Sequence, residues 1–111
     1  MTARLPAHIE VAGLIRAAES VGGFAVVVAK GERDAGSILL LTLEKGEHAQ
    51  LWERLPSLDG RRQFSAIPPE THKNTAGLHD YLQRRTARDP DIWIVELDVP
   101  NPERLVAQFT G

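Results

Sequence analysis

Two apolar runs constrain this chain more than any other feature. Phe24 to Lys30 reads FAVVVAK, Ser37 to Glu44 reads SILLLTLE, and the six residues between them, GERDAG, are charged and bounded by glycine. Side chains alternate along a strand. Phe24, Val26 and Val28 therefore share one face of the first run, with Ala25, Val27 and Ala29 on the other. Ile38, Leu40 and Thr42 oppose Leu39, Leu41 and Leu43 in the second. Both faces of both runs are apolar, which predicts strands covered on both sides. Leu-rich runs also suit helices, but the short length and the flanking Gly36 and Gly46 favour a strand. A parallel crossover takes about a dozen residues. The GERDAG connector is shorter, so the pair is expected to form an antiparallel hairpin at the centre of a sheet.

The connector is also the leading candidate site. Lys30, Glu32, Arg33 and Asp34 would form a polar constellation held by two rigid strands, a common setting for function. The alternative is an ordinary solvated corner, in which Gly31 and Gly36 supply unusual backbone angles. It is not a phosphate-binding loop, because both the Walker spacing and the GxGxxG pattern are missing. No cofactor is expected.

With 111 residues the chain has room for one domain, residues 1–111, and a core that needs no metal or disulfide. It has no cysteine, which removes thiolate metal sites and Cys nucleophiles and suits a reducing compartment. A formal net charge of -2 supplies no field that would draw in nucleic acid or anionic lipid, so neither is expected as a partner. The opening MTARLPAHIEV lacks the apolar core of a secretion signal, and no apolar run reaches the roughly 18 residues that span a bilayer. A cytoplasmic protein is expected.

Along the chain, Ala7 to Val21 reads as a helix with Val11, Leu14, Ile15 and Ala18 on one stripe, opened by Pro6 and ended by Gly22-Gly23. His8 at its start is expected to face solvent. After a turn at EKGEH, a half-solvated strand AQLWERL places Leu51 and Leu55 opposite Trp52. Asp59-Gly60 signals a turn, and RRQFSAI reads as an edge strand whose Arg61 and Arg62 discourage edge-to-edge pairing. The first four strands are expected to form an antiparallel meander. A polar loop, PPETHKNTA, is expected to be the most mobile segment and leads to a helix from Thr75 to Ala87. Asn74 or Thr75 caps it, and Leu78, Tyr81, Leu82 and Arg85 form its inner stripe. DIWIVELDV is a fifth strand, with Trp93, Val95, Leu97 and Val99 on one face and Ile92 and Ile94 on the other. Asn101-Pro102-Glu103 opens a short terminal helix that turns Leu105, Val106 and Phe109 inward. Helices bracketing a mainly antiparallel five-stranded sheet define a single α+β domain. Its expected core contains Phe24, Val26, Val28, Leu39, Leu41, Trp93, Ile94 and Val95.

Four stretches, RLPAHIEVAGLIR, AKGERDAG, LWERLPSLDGRR and DPDIWIVELDVP, resemble the domain-of-unknown-function family numbered 1491, a set of short alphaproteobacterial proteins. The resemblance spans nearly the whole chain. It implies a whole family member and a bacterial cytoplasmic protein. It implies no activity and offers no catalytic residue to transfer.

Function must then be sought in the residues. His8, His48, His72 and His79 show no HxH or HExxH spacing, and Ser20, Ser37, Ser57 and Ser65 lie in no GxSxG elbow. Glu96 and Asp98 share a strand face and could meet the GERDAG charges. Arg61, Arg62, Arg84, Arg85 and Arg88 could gather into a basic patch with Trp52, Phe64 or Tyr81 as stacking surfaces, though a capped helix end and a soluble edge explain them more simply. Two classes of function stay open. The first is a non-catalytic binding or protein-interaction module acting through Lys30–Gly36. The second is a small enzyme or nucleotide-binding protein using Glu32, Arg33 and Asp34 with Glu96 and Asp98. Three helices are few to cover two faces of such a sheet, so a homodimer is expected, with Leu40, Trp52, Ile92 and Ile94 short of cover.

Overall fold

A computed structural model describes residues 5–56, 62–71 and 74–109. The elements run α1 (Ala7–Ser20), β1 (Phe24–Ala29), β2 (Ile38–Glu44), β3 (Glu47–Pro56), β4 (Arg62–Ala66), a 3-10 turn (Pro69–Thr71), α2 (Thr75–Arg88), β5 (Trp93–Asp98) and α3 (Pro102–Ala107). The expected element order is the observed one. The turn expected at Asp59-Gly60 lies outside the described residues, as do Ser57, Arg61, His72 and Lys73 of the polar and basic stretches.

The sheet order is β1-β5-β2-β3-β4. β2, β3 and β4 form an antiparallel meander, whereas β5 lies between β1 and β2, antiparallel to the first and parallel to the second. The expected β1–β2 hairpin is therefore replaced by two strands that never pair, and the meander has three strands instead of four. Connector length excluded a parallel crossover and did so correctly. It did not require adjacency. Two ladder spacings are only about 10 Å, well within reach of the Lys30–Ser37 connector. The sheet is mainly antiparallel in its pairings, with β2–β5 the parallel exception.

The helices divide between the two faces. α1 and α3 pack on one side, where Val11, Leu14, Ala18, Leu40, Val95 and Val106 belong to one buried cluster. α2 lies on the other, with Leu78, Tyr81 and Leu82 against Leu39, Leu41, Leu51, Ile92 and Ile94. This split corrects the expectation that Leu40, Ile92 and Ile94 want cover: all three are buried, and Trp52 is partly buried against the α1 cluster. Local signals set the helix ends. Gly22 takes φ +82° after α1, where a left-handed residue closes the helix, and its N–H donates to Glu19 O. Asn74 caps α2 by accepting from Gly77 N at 2.8 Å. Asn101 occupies the N-cap position of α3, but its side chain makes no capping bond there.

The core expectation holds for Leu39, Leu41, Trp93, Ile94 and Val95. It fails for β1. Phe24 is 56% exposed, Val26 47% and Val28 49%. β1 is an edge strand, and α2 does not extend over it. Apolar character on both faces describes what a strand can bury; its neighbours decide what it does bury.

Candidate functional site

The Lys30–Gly36 loop leaves β1 and passes over the start of β5, which explains its glycines. A Cβ on Gly31 would overlap Asp91 O and lie 2.7 Å from Trp93 Cδ1. A Cβ on Gly36 would overlap Asp91 O and lie 2.8 Å from Glu32 O. Neither glycine has a positive φ, so close approach, and not the expected unusual backbone angle, requires them.

The loop's backbone is committed to its surroundings. Glu32 N donates to Asp91 O at 2.9 Å, and Trp93 Nε1 donates to Glu32 O at 2.7 Å. The carbonyls of Asp34 and Arg33 accept from Ala7 N and His8 N, each at 2.9 Å, so the loop satisfies two N–H groups at the start of α1. His8, expected to face solvent, also brings Nδ1 to 3.0 Å from Arg33 O. Of the four candidate side chains, Glu32 is exposed but engages its own loop. Its carboxylate accepts from Asp34 N and Ala35 N. Lys30, Arg33 and Asp34 are exposed, and the Asp34 carboxylate lies 3.9 Å from His8 Nδ1.

Asp98 does not join them. It is seven residues beyond Asp91, at the far end of β5, or about 20 Å along the strand at 3.3 Å per residue. There its carboxylate accepts from Lys45 N and Gly46 N, each at 2.9 Å, and holds the β2–β3 turn. That turn has φ 53° at Lys45 and 75° at Gly46, the left-handed pair that suits a two-residue hairpin. Glu96 lies beside Val26 and Leu41, again away from the loop. The five groups of the enzyme reading thus stand at two separate places.

Of the expected basic patch, the side chains of Arg61 and Arg62 lie outside the described residues. Arg84, Arg85 and Arg88 line a groove of about 470 Å³ with Tyr81, Glu53 and Asp89 on the α2 side. Trp52 and Phe64 pack on the α1 side. Burial pulls the Arg85 pKa down, but the hydrogen bond and charge of Tyr81, aided by Glu53, outweigh it and hold the guanidinium above its ordinary value. Arg85 Nη1 lies 2.7 Å from Tyr81 OH and 3.1 Å from Glu53 Oε2, so this arginine ties α2 to β3. Among the described residues no group of three or more His, Asp or Glu side chains could hold a metal ion, and no helix is long and apolar enough to cross a membrane.

Sequence reasoning missed the outer surface of β1. Phe24 and Val26 stand on the α2 side beside Asp98 and Glu96, where α2 gives no cover. Val27 faces the α1 side, 39% exposed, and a bulge after it leaves Val28 without a partner on β5. The opposite sheet edge, β4, presents Gln63 and Ser65 to solvent. One edge is polar and the other is valine and phenylalanine. At the start of β1 a cleft of about 360 Å³ is lined by Val21, Phe24 and Val99 with Glu44, Lys45 and Asp98. A run of valines in sequence looks like core; its placement at an edge is what marks it.

A mixed five-stranded sheet with two helices on one face and one on the other defines the class: a small α+β domain with an apolar strand at one sheet edge. Its relatives share that architecture. The model of the DUF1491 family, a protein family of unknown function, matches residues 5–107, and the chain belongs to that family. A crystal structure of a DUF1491 family protein from Caulobacter crescentus is 36% identical, with a TM-score of 0.76 over 86% of this chain and 88% of that one. The solution structure of protein Atu0922 from A. tumefaciens is 25% identical, with a TM-score of 0.77 over 95% and 94%. An NMR structure of a DUF1491 family protein from Caulobacter crescentus is 32% identical, with a TM-score of 0.72 over the same shares. No curated protein matches.

Proposed function

We propose that this chain is a non-catalytic protein-interaction module of the bacterial cytoplasm, acting through β1 and the Lys30–Gly36 loop that continues it. The observation that carries this reading is the exposed apolar run from Phe24 to Val28 on an unpaired sheet edge. Such an edge offers a row of backbone donors and acceptors beside apolar side chains, the surface on which another chain can add a strand. Monomeric proteins usually blunt such an edge with charge, and β1 has none before Lys30. Lys30, Arg33 and Asp34, exposed at its end, supply polar contacts that would select the partner. The enzyme reading has less support, because the Glu32 carboxylate engages its own loop and Asp98 holds a turn at the far end of β5.

A photo-crosslinking residue placed at Val26 in the native host tests the reading, with the same residue at Ser65 on the opposite edge as the control. Discrete crosslinked species are expected from Val26 and not from Ser65, and Arg33→Ala with Asp34→Ala should weaken them. Equal crosslinking at the two edges, or none at Val26, would overturn it.

A further inference from the structure

We infer that the groove between α2 and β3 binds a small phosphate monoester, at a site separate from the β1 surface. Tyr81, Arg84, Arg85 and Arg88 of α2 line it with Glu53 and Asp89, and its volume of about 470 Å³ is that of a small-ligand site. β3 stands three places from β1 in the sheet, so the two surfaces share no residue. The helix places the cations. Residues three and four apart share one helix face. Tyr81, Arg84, Arg85 and Arg88 are related by those intervals, so one face near the end of α2 carries three guanidinium groups and a phenol. Arg84 and Arg88 are exposed and enter no ion pair among the described residues. Asp80, one turn before Arg84, does not pair with it. Like charges four apart on a helix repel. The helix dipole favours cations in the last turn, which holds Arg85 and Arg88 but not Arg84.

Arg85 and Tyr81 are preset for an oxyanion. Arg85 Nη1 carries two protons, and both are engaged, by Tyr81 OH at 2.7 Å and by Glu53 Oε2 at 3.1 Å. These bonds fix the guanidinium. They leave Nε and Nη2, the edge that meets two phosphate oxygens side by side, without a protein acceptor among the described residues. Tyr81 accepts the Arg85 bond, so its own O–H is left to donate. The carboxylates of the groove are the opposite case. Glu53 accepts from Arg85, and Asp89 Oδ1 accepts from Asp91 N at 3.1 Å.

This donor set selects the ligand. Guanidinium forks match the paired oxygens of a phosphate, and a dianion relieves the repulsion between Arg84 and Arg88. The charge balance selects one phosphoryl group over a nucleic-acid strand. The lining sets three arginines against two carboxylates, and the whole chain carries a formal net charge of -2. That excess neutralises a single phosphoryl group, whereas a polymer draws its affinity from many phosphate contacts.

Titration of the full chain with glycerol phosphate at physiological salt, followed through the arginine Nε–H resonances by NMR, tests the site. Saturable shifts are expected for Arg84, Arg85 and Arg88 and not for Arg16, which lies on α1. Arg84→Gln and Arg88→Gln should each weaken binding about tenfold, the loss of one charge-assisted pair. Their Tm should match that of the wild type, because neither side chain holds an ion pair among the described residues. Oligothymidylate at equal phosphate concentration should bind more weakly than glycerol phosphate. No saturable shift up to about 10 mM glycerol phosphate would overturn the inference. So would an affinity that both glutamine variants leave unchanged. Tighter binding of oligothymidylate would also overturn it and make the groove a nucleic-acid surface. None of these results bears on the Val26 crosslinks, so the two readings stand or fall separately.

Discussion

Truncating Leu39 and Val26 to alanine should separate two residues that look alike in sequence. Both are aliphatic residues inside apolar strands. Leu39 is fully buried among Leu41, Leu51, Ile92 and Ile94, and Val26 is about half exposed on the edge. Leu39→Ala removes buried methyl groups and leaves a void that β2, paired on both sides, cannot close. The expected cost is about 2–5 kcal/mol. For Val26→Ala only part of the side chain leaves an apolar contact, so the cost stays below about 1 kcal/mol. A domain of this size has roughly 5–15 kcal/mol in total, so both variants should fold. In urea, with a slope of about 1–3 kcal/mol per molar, a loss of 3 kcal/mol lowers the midpoint by roughly 1–3 M. Val26→Ala should shift it by a few tenths. The titration must be run at submicromolar concentration, where association adds nothing to the monomer's stability. Equal shifts for the two variants would refute the placement of β1 at an open edge.

Other outcomes follow from single contacts. Gly31→Ala should cost about 1–3 kcal/mol by overpacking, because its Cβ has no room beside Asp91 O; thermal melts would detect it, and an unchanged Tm would mean that the loop does not lie on β5. Glu10→Gln should cost about 3–5 kcal/mol, since Arg54 is 4% exposed, pairs with Glu10, and already has an unpartnered Nε. The paired change to Glu10→Leu with Arg54→Met should recover most of that cost in a double-mutant cycle. Asp98→Ala should cost about 1–3 kcal/mol and expose the Lys45 and Gly46 amides to hydrogen exchange, because their shared acceptor is gone. Arg85 has a folded-state pKa raised above its ordinary value, so its contribution is complete below the unfolded value and lost only in strong base. The Tm difference between wild type and Arg85→Met should therefore not vary between about pH 6 and pH 9.

Much of the local structure was legible in the residues themselves. The stripe Val11, Leu14 and Ala18 placed α1 against a core, and all three are buried. Alternation on β5 divided Trp93, Val95 and Leu97 from Ile92 and Ile94, and the two sets do join different clusters. Asn74 marked the start of α2 and Gly22 the end of α1. The candidate loop was visible too, as the one charged segment between two apolar strands. What it does was not: its glycines serve a close approach to β5, and its carbonyls serve α1.

These successes share a cause, as do the failures. Helix stripes, strand alternation, caps and turns depend on residues within a few positions of one another, so the chain determines them locally. Which strand lies beside which depends on contacts between distant residues. Inserting β5 between β1 and β2 required pairing Trp93–Asp98 with segments more than fifty residues earlier. That insertion pushed β1 to the edge, turned Phe24, Val26 and Val28 from expected core into surface, and kept Asp98 away from Glu32, Arg33 and Asp34. The sequence by itself determined the elements, their apolar faces and a single α+β domain. Only the tertiary structure decided which apolar face would remain uncovered, because burial belongs to a residue's neighbours and not to the residue.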